Sequence, residues 1–180
     1  MRAILSLTFY LEKTRQQLTC GAAHGELDVL ILALPMDIGT MESCIVGHDP
    51  FKMVISRNQA DNIRVPIKYD DLPDESVFLL ENEHCLTEHA VSACKLTEKE
   101  KINPFSATSL HTLVQMVANG LGTTFIPQMA IEHGLLENQN LIVIEPPGQQ
   151  AHRDIGLVWR PSSSRRDSFL QLADVVSELL

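Results

Sequence analysis

Long apolar runs are missing from this sequence of 180 residues. The longest, Val29 to Leu34, falls far short of the roughly 20 residues that cross a bilayer. The opening residues show no basic stretch leading into an apolar segment and a small-residue cleavage site. No secretory leader is therefore expected, and the cytoplasm is the expected address. Positive charge is also scarce: 14 Lys and Arg stand against 23 Asp and Glu, a net charge of −9. Phosphate repels such a chain unless its basic residues are gathered into a patch. The dense cluster Arg160, Arg165 and Arg166 is short and reads as a solvated helix entry. The chain alone is not expected to bind nucleic acid. There is no Cys-x-x-Cys and no His-x-x-x-His beside a cysteine pair, so neither zinc nor another metal is expected. No Ser-His-Asp order, Gly-rich phosphate loop or internal repeat occurs, and no cofactor is implied. His24, His48, His89, His111, His133 and His152 are scattered and read as surface or turn residues rather than ligands.

What is present is a foldable chain, 44% hydrophobic and 21% charged. That suits one domain or two small lobes and excludes disorder. Val29 to Leu34, ended by Pro35, reads as a strand buried on both faces. Lys52–Ser56, Val77–Leu80, Gly122–Ile126, Leu141–Ile144 and Ile155–Trp159 read as further strands. Leu110, Leu113, Val114 and Val117 form one apolar helical face, with Thr108 as N-cap and Gly120 as the stop. Ser106 to Ser109 ahead of that helix read either as an anion site or, more simply, as ordinary capping. Gln128–His133 is a short helix, and Phe169, Leu172, Ala173 and Val176 mark a final amphipathic one. Alternating strands and helices predict an α/β fold with a largely parallel sheet. Breaks near Gly47–Pro50 and Pro146–Gln150 suggest two crossings between lobes. They predict one lobe from residues 1–47 and 151–180 and an inserted second lobe from residues 48–150.

Four cysteines remain: Cys20, Cys44, Cys85 and Cys94. Structural disulfides are rare in a reducing cytosol, so buried fillers and redox-active thiols are both open readings. For Cys20 and Cys44 the buried filler is preferred. The segment from Glu81 to Cys94 reads ENEHCLTEHAVSAC. With Asn82 as N-cap, Cys85 falls at the third helical position, where free N–H groups and the helix dipole favour a thiolate. His84 adds a donor or a charge; Glu83 and Glu88 oppose it. In one unbroken helix the nine residues to Cys94 rise about 13.5 Å and turn about 900°. A disulfide needs Cα atoms within about 7 Å. The two thiols cannot bridge while that helix is intact, and a bridge would force the segment to remodel.

The segment HCLTEHAVSAC resembles the sensor motif of OxyR-like, LysR-type transcription regulators, in which a second Cys follows a His-Cys-Leu opening after nine residues. GELDVLILALP, FSATSLHTLVQMVANGLGTTFIPQMA and IGLVWRPSSSRRDSFLQLADVV also resemble segments of that family, so the likeness covers nearly the whole chain from about Thr8. The cysteine pair is its specific part. The resemblance implies a two-lobed, periplasmic-binding-protein-like (type 2) regulatory domain that senses hydrogen peroxide. It makes Cys85 the peroxide-reactive thiol, Cys94 the resolving thiol and His84 the residue that positions peroxide. Thr14 matches, one residue out of register, a threonine that contacts peroxide. Thr87 stands in the ligand region where the family commonly carries Arg. The resemblance further implies that the winged helix-turn-helix and the first strand and helix of the regulatory domain are absent, leaving the first lobe incomplete. A homodimer or tetramer through the regulatory domain is expected, with DNA and RNA polymerase as partners only of a full-length protein, and no membrane.

Other function classes stay open. A LysR-type effector domain would bind a small metabolite between its lobes, with the cysteines incidental. A thiol peroxidase would need a reductant docking site, which nothing marks, so an enzyme is not expected. A nonfunctional fragment is the last reading.

Overall fold

Strand β2 runs Glu42–Ser56, fifteen residues, and organises the sheet. The strand includes Gly47–Pro50, and the chain passes from one unit to the other between Val46 and Gly47, near where the sequence suggested a crossing. Pro50 has no N–H to give, but the pairing resumes at once: Phe51 N–H donates to Ala151 O at 2.7 Å. The computed structural model describes residues 15–60, 69–81, 85–94, 96, 99–146 and 151–180. Their elements are α1 (Arg15–His24), β1 (Val29–Leu34), β2, α2 (Arg57–Ala60), β3 (Val77–Leu80), α3 (Cys85–Ala93), β4 (Ile102–Ala107), α4 (Leu110–Ala118), β5 (Thr123–Pro127), α5 (Gln128–Glu132), β6 (Leu141–Ile144), β7 (His152–Trp159) and α6 (Arg166–Ser177). Short 3-10 turns lie at Tyr69–Asp71 and Lys99–Lys101.

The chain forms two units, one of residues 1–32, 36–46 and 155–180, the other of residues 33–35 and 47–154. In the second unit the strands neighbour one another as β2-β5-β3-β4, with β6 also on β2. The sheet is mixed rather than largely parallel. β3 is parallel to β4 and to β5, whereas β2 is antiparallel to β5 and to β6. Helix–strand alternation in sequence led to the parallel expectation; β5 returns against β2 and breaks it.

The two faces of this sheet follow the period of two that strands impose. Met53, Ile55, Val77, Leu79 and Phe125 share one buried cluster; Val54, Phe78, Leu80 and Ile126 share the other. Ala90 and Cys94 cover the first face, and Leu113, Val114 and Val117 of α4 the second. That is why Val77–Leu80 is an uninterrupted apolar run: all four residues are buried. β4, Ile102–Ala107, was not legible, because INPFSA has neither alternation nor a continuous apolar run. The N-cap of α4 is Ser109 rather than Thr108. Its hydroxyl accepts from Thr112 N–H at 3.2 Å, so this serine is engaged in capping. Gly120 ends the helix with φ +77°.

In the first unit Trp159 of β7 is buried against Phe169 of α6, ring centroids 5.7 Å apart, and its Nε1–H donates to Glu42 Oε2 at 3.1 Å. β1 is not buried on both faces: Leu30 and Leu34 are, but Ile31 is 52% exposed. An apolar run alone does not say that both faces are covered. Arg165 and Arg166 are exposed and paired with Asp28 and Glu42 at 2.8 and 3.2 Å. The basic cluster is thus largely neutralised by its neighbours.

Candidate functional site: a helix that joins two thiols

Strand β3 delivers the chain to α3, whose first described residue is Cys85. The N-cap expected at Asn82 lies outside the described residues. Backbone N–H groups in the first turn of a helix have no intrahelical acceptor, and a side chain there lies near them. Cys85 is described at its backbone only, and the readings for His84 and Thr14 fall outside the described residues. Thr87 is buried, and its hydroxyl donates to Leu80 O at 2.9 Å. This bond ties the first turn of α3 to the end of β3. Glu88 is exposed on the same turn, while His89 is buried rather than on the surface.

The helical path reaches Cys94. Its N–H donates to Ala90 O at 2.9 Å, and Leu96 N–H to Val91 O at 3.0 Å. Nine helical residues separate the Cα atoms of Cys85 and Cys94 by about 13.5 Å along the axis, roughly twice what a disulfide spans. Cys94 is 2% exposed and packs among Leu72, Leu79, Ala90, Leu96 and Phe125. Burial pushes its thiol up to about 12, against a smaller opposing pull from the Tyr69 hydroxyl. Burial, and then the nearby Cys94, hold the Tyr69 hydroxyl well above its ordinary range. Tyr69 Oη makes no hydrogen bond of good geometry among the described residues, so it acts on Cys94 by proximity. Nothing in the sequence pointed to Tyr69, which lies in a turn 25 residues before Cys94.

The other thiols differ. Cys20 is exposed, not a buried filler, and its Sγ lies 3.4 Å from His24 Nδ1. Cys44 is half-buried. His48 and His152, read as scattered, in fact converge on Asp154.

A profile of the LysR substrate binding domain matches residues 7–180. The chain belongs to the LysR substrate-binding domain family. Its α/β, type 2 periplasmic-binding-like architecture agrees with that membership, which is one of regulatory domains rather than enzymes. Among solved structures, this LysR-type domain is similar to the reduced form of the regulatory domain of OxyR2 from Vibrio vulnificus. The identity is 82% and the TM-score 0.89, over 93% of this chain and 79% of that one. It is 32% identical over 178 residues to a hydrogen peroxide-inducible genes activator of Dickeya chrysanthemi, covering 98% of this chain and 58% of the relative. It is 30% identical over 156 residues to the HTH-type transcriptional regulator EstR of Acinetobacter baylyi, covering 87% and 52%. The LysR-type domain thus spans a little over half the length of these curated relatives. Among its described residues, no helix is long and apolar enough to cross a membrane.

Proposed function

We propose that this chain is the hydrogen peroxide-sensing regulatory domain of an OxyR-like transcription activator, switching through a reversible Cys85–Cys94 disulfide. The observation that carries the reading is the continuous helical path from Cys85 to Cys94, with the second thiol sealed in the core. The Cys85 thiolate attacks one peroxide oxygen, the O–O bond breaks, and the leaving oxygen takes up a proton and departs as water. Cys85 becomes a sulfenic acid. The Cys94 sulfur then displaces its hydroxyl as a second water, closing the disulfide. In sum, two thiols and one peroxide give one disulfide and two waters. The first step suits a cysteine at a helix start, where free N–H groups favour an anion. The second step is incompatible with the helix as folded. Cys94 must leave the core and α3 must unwind, and that rearrangement is the signal.

In this scheme His84 positions peroxide, Thr14 contacts it, and Thr87 holds the first turn of α3 beside it. Residues 48–150 form the lobe carrying the redox cysteines, within a homodimer or tetramer. DNA and RNA polymerase are partners of the longer protein. The test is one equivalent of hydrogen peroxide followed by disulfide mapping by mass spectrometry. A Cys85–Cys94 bridge is expected in the parent, a sulfenic acid on Cys85 in Cys94→Ser, and no fast oxidation in Cys85→Ser. Rapid oxidation that survives Cys85→Ser would refute the scheme.

A metabolite-binding effector domain is the second reading. Its ligand would sit inside the second unit rather than between the lobes, in a cavity of about 570 Å³ lined by Leu80, Leu86, Ser109, His111 and His133, a size that suits a small molecule. On that reading the double cysteine variant keeps its ligand response.

A further inference from the structure

Two strands bring a metal-ligating side chain of β2 beside two such side chains on β7, about a hundred residues later in sequence. β2 contributes His48, and β7 contributes His152 and Asp154. Residues 152 and 154 share one face of β7 because side chains alternate, and His48 comes from the strand beside it. His48 Nδ1 lies 2.6 Å and His152 Nε2 3.5 Å from Asp154 Oδ1. One ligand atom from each residue falls within 4.8 Å of the others. The two imidazoles meet edge to face, centroids 4.9 Å apart. Both histidines are exposed and Asp154 is half-buried, so an ion can enter from water.

The opposite face of the same strands is locked. Asp49 is 0% exposed, and its Oδ2 accepts from Arg153 Nε and Nη2 at 3.0 and 2.8 Å. Its Oδ1 accepts from Met129 N–H at 3.0 Å. His48 neighbours Asp49, and Arg153 lies between His152 and Asp154, so this ion pair, with Asp49 buried and Arg153 half-buried, fixes the backbones that carry all three ligands. A site on rigid strands is held more precisely than one on loops.

We propose that His48, His152 and Asp154 bind a divalent transition-metal ion of the zinc, nickel and copper class. Two imidazole nitrogens and one carboxylate oxygen match that class and not calcium or magnesium, which take oxygen ligands. Four-coordinate bonds of roughly 2.0–2.1 Å place neighbouring ligand atoms about 3.4 Å apart. The 3.5 Å separation already fits. The 2.6 Å hydrogen bond opens by about 0.8 Å when the ion replaces its proton, and the widest pair of ligand atoms, within 4.8 Å, closes by rotation of the exposed imidazoles. Three protein ligands leave a position for water. The net charge of −9 draws cations toward the surface.

The test is isothermal titration of the reduced chain with zinc and nickel chloride, alongside cobalt absorption spectra. One equivalent is expected to bind, without a thiolate-to-metal charge-transfer band. Affinity should fall at least tenfold in His48→Ala and in His152→Ala, both at exposed positions that tolerate truncation, and in Asp154→Asn. The Cys20→Ser/His24→Ala variant, which removes another exposed donor pair, should bind as the parent does. Far-UV circular dichroism confirms that each variant is folded. The proposal is overturned if stoichiometric binding persists in both histidine variants, if it appears only with a thiolate band, or if no binding is detected.

Discussion

Alkylation of Cys94 in the reduced, folded protein should be about a thousandfold slower than that of an ordinary thiol, from ionisation alone. Burial pushes this thiol up to about 12, which lowers the reactive thiolate fraction near neutral pH about a thousandfold against an ordinary cysteine. The 2% exposure adds a steric block, so labelling must wait for α3 to open. The assay is a time course with iodoacetamide, read by mass spectrometry, with exposed Cys20 as the internal reference. In mild urea the Cys94 rate should rise before the global transition, as opening of the helix is favoured. Labelling of Cys94 within tenfold of Cys20 in buffer would refute the claim that the fold withholds this sulfur. The same shift sets a pH dependence. The folded state holds the Cys94 proton more tightly than the unfolded chain does, so its contribution is complete below about pH 9 and is lost as pH rises toward about 12. Denaturant midpoints measured over that window should fall, and fall less steeply in Cys94→Ala.

Two further outcomes follow from the packing. Asp49→Ala leaves Arg153 and the Met129 N–H without their acceptor. Breaking such a pair costs about 3–5 kcal/mol, and because Arg153 keeps some exposure the low end is expected. Calorimetry should show the transition lowered by on the order of 10 °C, and a shift below about 2 °C would contradict the assignment. Gly122→Ala drives a methyl group into the Ser76 carbonyl oxygen and to within 2.8 Å of the Phe78 ring. Overpacking of this kind costs about 1–3 kcal/mol, measurable as a lower urea midpoint; an unchanged midpoint would mean that β3 and β5 can separate without penalty.

Much of this molecule is written in local patterns. Val77–Leu80 is apolar at every position because helices cover both faces of its strand. The α4 stripe of Leu113, Val114 and Val117 repeats at helical spacing, and Gly120 supplies the positive φ that ends it. The separation of Cys85 from Cys94 follows from helix geometry and their numbering alone. Each of these features depends on residues within a turn or two of one another, so composition and periodicity carry them.

Tertiary contacts decided the rest. The residues around Gly47–Pro50 pointed to a passage between units, but not to the strand that continues through Pro50, which pairing with other segments supplies. Tyr69 meets Cys94, and Asp49 meets Arg153 across 104 residues of sequence. His48 meets Asp154 across 106, which turned histidines that looked unrelated into a cluster. Such encounters depend on strand order and register. A sheet sets these by the joint burial of all its strands, and no single segment contains that information.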